Sequence, residues 1–188
     1  MIDLTPQINL LAERIKPLRE GPSRVIVAIC GTPASGKTTL ADELARRLNA
    51  QKCETVVVPQ DGFHLDNQVL EARGQLNRKG APFTFDGAGF VHTIRRLKER
   101  ADVAVPVFDR SRDIAIAGAR IIPATAEVIL VEGNYLLYDE APWFNLASLW
   151  TMSVRLDVPI EELRARLIQR WLGHGLSRTA ATRRAETN

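Results

Sequence analysis

Cysteine is scarce in this sequence, with only Cys30 and Cys53 among 188 residues. Neither belongs to a C-x-x-C pair, so a disulfide scaffold and a zinc site both lack the spacing they need. Two buried, reduced thiols in a cytoplasmic protein are the reading that remains. Long apolar runs are missing as well. No stretch approaches the roughly 20 residues of a membrane helix, so no membrane partner is expected. The opening "MIDLTPQINLLAERIKPLRE" has no apolar h-region or cleavage site of a secretory leader. It reads as an amphipathic helix, expected within residues 1–22. Repeats, low-complexity tracts and long linkers are absent. Excess charge is small: the net charge is +3, too little to imply nucleic acid, and the arginines are spread along helix-like stretches.

What is present is ordinary globular composition, 45% hydrophobic and 25% charged, which argues against wholesale disorder. Residues 1–188 are expected to form a single domain. Strand-like and helix-like segments alternate, the pattern of an α/β fold with a mainly parallel central sheet. "RVIVAIC" (24–30) is the first strand and "KTTLADELARRLNA" (37–50) a helix with Leu40, Leu44 and Leu48 on one face. "ETVVVPQ" is a second strand, "GFVHTIRRLKER" (89–100) a helix, and 66–73 a short helical stretch. "VAVPVFD" and "IAIAGARII" alternate and contain Pro106, which predicts an edge hairpin or small flap. That hairpin, over 103–122, also offers a surface for a homodimer. "AEVILVEG" is a buried parallel strand and "MSVRLDV" another. "PIEELRARLIQRWL" is a helix with Pro159 at its first position and Glu161 and Glu162 at the positive end of its dipole.

"GTPASGKT" matches G-x-x-x-x-G-K-[ST], with the apolar strand before it and the helix after it that the motif requires. Such a loop turns successive backbone N–H groups inward onto phosphate oxygens, and the helix start adds partial positive charge. The cradle is Gly31, Thr32, Pro33, Ala34, Ser35, Gly36, Lys37 and Thr38, with Thr39 following. Lys37 can reach the outer phosphates and the Thr38 hydroxyl can ligate Mg²⁺. No N-K-x-D segment for guanine is present, which points to ATP. Glu132 ends a buried strand, where an acid can organise Mg²⁺; the alternative is a glutamate turned to solvent.

The acceptor side is less direct. "DGFH" follows the second strand, so Asp61 is expected at the sheet's carboxyl edge, where open α/β sheets bind ligands. There it can take a hydroxyl proton; as a cap for the 66–73 helix it lies several residues too early. His64 can bond a substrate hydroxyl or make a local structural contact. Arg78 and Lys79 can hold an anionic or hydroxylated acceptor, with Phe83 and Phe85 as walls, or belong to a surface loop with two core anchors. Phe108 and Arg110 of "PVFDRSRD" are further pocket candidates. A hinge is expected over 173–178, between Gly173 and Ser177. Ahead of it Arg166 and Arg170 share a helix face. One of them can neutralise charge on a transferred phosphoryl group, Arg170 being nearer the hinge; both can instead pair with Glu162 or solvent.

Together, "GTPASGKT", "DGFH", "RKGAPFTFD", "PVFDR", "VEGNYLL" and the Arg-rich helix resemble the P-loop kinases of the phosphoribulokinase, uridine kinase and bacterial pantothenate kinase group. Within it they look most like small bacterial nucleoside or nucleotide kinases and fructose-transport-associated kinases. The resemblance runs from about Arg24 to the end. It implies a P-loop three-layer sandwich with a flap and a helical lid, and transfer of the γ-phosphate of Mg·ATP to a hydroxyl of a small metabolite. It implies Asp61 as base, Lys37 and Thr38 on the nucleotide, Glu132 with the metal, Arg166 and Arg170 in the lid, and Tyr135 of "VEGNYLL" on the acceptor side. The segment "PVFDR" departs from the "P-x-Y-D-F" of uridine kinases, which bears on nucleoside recognition. Relatives usually continue beyond the final "RAETN", so part of the adenine contact is expected there. The rival reading is an NTPase switch acting on a protein partner; the "DGFH" to "TFD" region argues for a small acceptor instead.

Overall fold

Four apolar runs find partners as parallel strands, and the helices between them cover both faces. The computed structural model describes residues 4–21 and 23–186. In chain order the elements are α1 (Thr5–Ile15), β1 (Val25–Gly31), α2 (Lys37–Ala50), β2 (Thr55–Pro59), α3 (Asn67–Ala72), α4 (Gly87–Leu97), β3 (Val103–Asp109), β4 (Ile114–Ile122), β5 (Val128–Gly133), β6 (Met152–Leu156), α5 (Ile160–Gly173) and α6 (Arg178–Glu186). The sheet order is β2-β5-β1-β6, with β1 parallel to both β5 and β6. The expected N-terminal helix is present as α1 and a following 3-10 turn; residues 1–3 and 22 of that expectation lie outside the described residues.

Side chains alternate between the faces of a strand, and the two cores divide accordingly. Val25, Val27 and Ile29 join Val128 and Leu130 beneath α1 and α2, where Leu40, Leu44 and Leu48 are buried as the four-residue spacing required. Ile26, Ala28 and Cys30 join Ile129 and Val131 against α4 and an aromatic group that includes Phe85, Phe90 and Trp143. The result is the three-layer α/β arrangement. Cys30 and Cys53 are free and buried.

Local chemistry moves several boundaries. α4 begins at Gly87, two residues before expectation, because the Asp86 carboxylate caps it by accepting the Gly89 N–H at 2.8 Å. Asp66, not Asp61, caps α3, accepting the Gln68 N–H at 2.9 Å. Pro159 is the cap residue of α5 rather than its first helical residue, since its ψ of 141° is extended. Glu161 and Glu162 do occupy the first turn. β3 and β4 form a separate antiparallel hairpin, with its register shift between Val105 and Val107. Pro106 has no N–H to give to the ladder at that point. Fully buried Arg24 ties the hairpin to the body. Its guanidinium donates to the carbonyls of Leu97, Ala101 and Pro123, the last at 2.6 Å.

Candidate active site

Parallel strands bring their carboxyl ends to one edge, and the chemistry-bearing segments follow those ends. β1 runs into the phosphate loop, β2 into the 3-10 turn Gln60–Phe63 that carries Asp61, and β5 ends on Glu132 and Gly133. In the sheet register Glu132 stands opposite both Ile29 and Pro59, so it lies between the loop and the Asp61 turn.

The loop has the form of an anion cradle. Ala34 holds a left-handed φ of 65°, and α2 has no side-chain cap at its start. Its first N–H groups therefore lack an intrahelical partner and point where an anion can use them. Lys37 donates to the Thr32 carbonyl at 3.0 Å. Burial lowers its ammonium pKa, while Glu132 and Asp61 pull it back up. Arg166 donates to the carbonyls of Ala34 and Ser35 at 3.1 and 3.3 Å, and also pairs with Glu162. The pairing with Glu162 is thus present, and the bonds to the two loop carbonyls latch α5 onto the loop. Arg170 is exposed one turn later, close enough to oppose the charge on Lys37. The expected hinge falls between the end of α5 and the start of α6. α6 folds back so that Arg184 covers the Trp171 ring at 4.5 Å.

Glu132 is buried, not turned to solvent. Burial raises its carboxyl pKa first and Asp61 adds to the effect; Lys37, Arg110 and a hydrogen bond from Thr38 oppose it. A buried acid sharing a bond with the loop threonine fits Mg²⁺, which takes one or two protein oxygens and fills its other positions with water and phosphate.

Asp61 is about one-third exposed, and its Oδ2 accepts from Arg110 of the hairpin at 2.9 Å. Its turn is pressed against the hairpin. A Cβ on Gly62 would lie 2.5 Å from the Pro106 carbonyl oxygen, so the glycine of "DGF" is what allows the approach. His64 Nδ1 lies 2.8 Å from the Asp61 carbonyl. A carbonyl only accepts, so Nδ1 carries the proton and Nε2 is left as the acceptor. Burial lowers the imidazole pKa, which favours this neutral form. The ring lies against Phe85 and Phe108, with centroids at 4.0 and 4.8 Å.

The remaining acceptor candidates separate. Lys79 reaches across to the hairpin: its ammonium bonds Asn67 and both the carbonyl and the carboxylate of Asp113, and it sits 5.2 Å from the Phe108 ring. Arg78 is exposed. Tyr135 donates its hydroxyl to the Gly80 carbonyl at 2.6 Å and packs on Phe85. Phe85 is buried and Phe83 half-exposed. Both line a cavity of about 530 Å³ with Arg73, Tyr138 and Trp143, away from Lys37, Asp61 and Glu132. One participant escaped the sequence reading. Gln60 is fully buried and its Oε1 accepts the Tyr135 N–H at 3.1 Å. Any Cβ on Gly133 would fall 2.2 Å from that oxygen, so "EG" and "QDG" interlock. The only signal was a glutamine wedged between strand and aspartate.

Comparison with known proteins agrees with this geometry. Residues 26–174 match the phosphoribulokinase / uridine kinase family. The chain is 34% identical over 180 residues to the uncharacterized protein YggC of Escherichia coli, covering 94% of this chain and 73% of that one. It is 30% identical over 177 residues to a provisionally named uridine kinase of Schizosaccharomyces pombe, covering 90% and 75%. Among solved structures, a provisionally named fructose transport system kinase from Silicibacter sp. TM1040 superposes with a TM-score of 0.90 at 49% identity, over 99% of this chain and 89% of that one. The described residues hold no helix long and apolar enough to cross a membrane. With the phosphate loop, the buried acid and the family match in agreement, the chain belongs to the phosphoribulokinase / uridine kinase family of ATP-dependent phosphotransferases acting on hydroxyl acceptors.

Proposed function

We propose that the protein transfers the γ-phosphate of ATP to a hydroxyl of a small metabolite, a sugar, a nucleoside or a pantothenate-like alcohol. The observation that carries this reading is the position of Asp61. It leaves β2 at the same sheet edge as the phosphate loop, with Glu132 between them in register and the hairpin closing over it. Asp61 orients the acceptor hydroxyl and takes its proton as the oxygen forms the new bond to γ-phosphorus. ADP departs with the electron pair of the broken bond. Lys37 and the loop N–H groups hold the phosphates, and Arg166 or Arg170 from α5 faces the charge that develops. Thr38 and Glu132 would hold Mg²⁺, which would supply charge neutralisation on the phosphate oxygens. His64 Nε2 and Tyr135 lie on the acceptor side as polar contacts.

The test is a panel of free sugars, nucleosides and pantothenate incubated with ATP and Mg²⁺, with products identified by mass spectrometry. The name of the 49%-identical neighbour places hexoses first on the panel. One phosphorylated product is expected, and Asp61→Asn should lower its rate by about 100-fold or more with ATP binding nearly intact. Wild-type turnover in that variant would remove Asp61 as base. ATP consumption that ignores every acceptor and rises with a protein partner would overturn the kinase reading in favour of a switch.

A further inference from the structure

We infer that Arg110 determines which nucleophile Asp61 serves: it ties up Oδ2 of the carboxylate while the acceptor is absent and yields it to the hydroxyl acceptor. The inference rests on the reading of Asp61 as base. A base beside an ATP-binding loop is a hazard when the acceptor is absent, because water can take the acceptor's place. Water's oxygen would form the new bond to γ-phosphorus and the bond to the β,γ-bridging oxygen would break. ADP would leave with that electron pair, Asp61 would take the proton, and ATP would be spent as inorganic phosphate. The Asp61 side chain is still about one-third exposed with Arg110 in place, so burial does not prevent this.

The hairpin instead engages one of the two carboxylate oxygens. Arg110 Nη2 lies 2.9 Å from Asp61 Oδ2. The contact is one-armed, which leaves Nη1 and Nε of the guanidinium with capacity to bond an incoming oxygen. It is also easily released, since the arginine side chain is 59% exposed and an ion pair so placed contributes little. Its neighbours make release depend on an occupant. Two residues earlier, Phe108 packs on His64, and His64 is bonded to the Asp61 carbonyl. On the far side of the hairpin turn Asp113 is held by Lys79. A molecule entering between Phe108, His64 and Asp61 must shift Arg110 and can bond it as it does so. Water is too small to force that displacement. On the donor side Arg166 bonds the Ala34 and Ser35 carbonyls of the loop, whereas Arg110 bonds the carboxylate of Asp61 itself.

The experiment needs only the full chain, ATP and Mg²⁺, with phosphate release measured in the absence of any acceptor. Arg110→Gln should raise this hydrolysis by about tenfold or more, and Arg110→Lys, which keeps the charge, should raise it less. Adding Asp61→Asn to Arg110→Gln should return it to the wild-type level. Melting curves and ADP binding check each variant, and Arg110→Met gives the same readout should the glutamine disturb folding. Acceptor-free hydrolysis in a folded Arg110→Gln protein that stays at or below wild type would overturn the inference. A rise that survives Asp61→Asn would overturn it too. Failure of the underlying reading looks different: there Asp61→Asn alone would leave acceptor phosphorylation intact.

Discussion

The proposed donor and acceptor halves of this site are built on opposite plans. The donor half is one contiguous stretch, Gly31 to Thr39, acting mainly through backbone N–H groups at the start of α2. The acceptor half is assembled from the Asp61 turn, the Lys79 loop, the hairpin and Tyr135, which meet through side chains. A backbone cradle binds whatever carries phosphates, so its form can stay the same while acceptors differ. A side-chain assembly can be retuned one residue at a time, as with Arg110 and its restraint on Asp61. Generality therefore resides in the loop and discrimination in the assembly.

Lys37→Ala is the harshest test of that division. It removes the side chain that, on the proposed reading, holds the outer phosphates. Both acceptor phosphorylation and acceptor-free hydrolysis should fall together, by about 1,000-fold. Steady-state rates of the two reactions, measured side by side, check this. Loss of one with retention of the other would mean that Lys37 serves a particular acceptor, and the contrast between the halves would collapse.

Gly62→Ala attacks the other half through packing. The new methyl group would meet the Pro106 carbonyl, so the hairpin must move away from the Asp61 turn. A stability loss of about 1–3 kcal/mol is expected, the usual cost of overpacking, measurable by denaturant unfolding. Acceptor phosphorylation should drop further than ADP affinity. Equal losses in both would show that the halves are mechanically one unit.

These contrasts also explain what could be read in the sequence. Strands, helices and the phosphate loop were legible because each is written in neighbouring residues: apolar runs for β1 and β5, leucines four apart for α2, glycines and a lysine at fixed spacing for the loop. The hairpin was legible from alternation and Pro106. Contacts between segments were not. Nothing local to Arg24 announces a buried guanidinium bonded to residues 73, 77 and 99 positions away. Gln60 and Gly133 interlock only because β2 and β5 are neighbours in the sheet. The charge of Lys79 left an acceptor ligand and a surface loop both open, while its partners are Asn67 of α3 and Asp113 at the hairpin turn. Even the shift of α4 to Gly87 turns on which donor Asp86 finds. Residue types point to chemistry, but pairing is decided by the fold.

Lys79→Met gives a milder probe of the acceptor half. It keeps the stem over Phe108 and removes the bonds to Asn67 and Asp113. The acceptor KM should rise several-fold, about 0.5–1.5 kcal/mol for the lost hydrogen bonds, with the KM for ATP unchanged. A change confined to the KM for ATP would place Lys79 on the donor side instead.

Glu132 lies where the halves meet, and its effect is the smallest and the most specific. Burial raises its carboxyl pKa above the ordinary value near 4.5. Folding therefore favours the protonated form, and the folded chain holds this proton at pH values where the unfolded chain has lost it. Stability from this group is complete below the ordinary value and declines as pH rises through the folded-state value. Glutamine cannot ionise, so Glu132→Gln escapes that decline. In nucleotide-free protein the variant should melt close to wild type in mild acid and above it at neutral pH, the gap opening as pH increases. With ATP and Mg²⁺ added the order should reverse, because the variant lacks the charge that the metal uses. Thermal melts across pH, with and without nucleotide, check both parts. A gap that stays flat with pH would mean Glu132 bears no desolvation cost. A missing reversal would place the metal's protein contact at Thr38 alone.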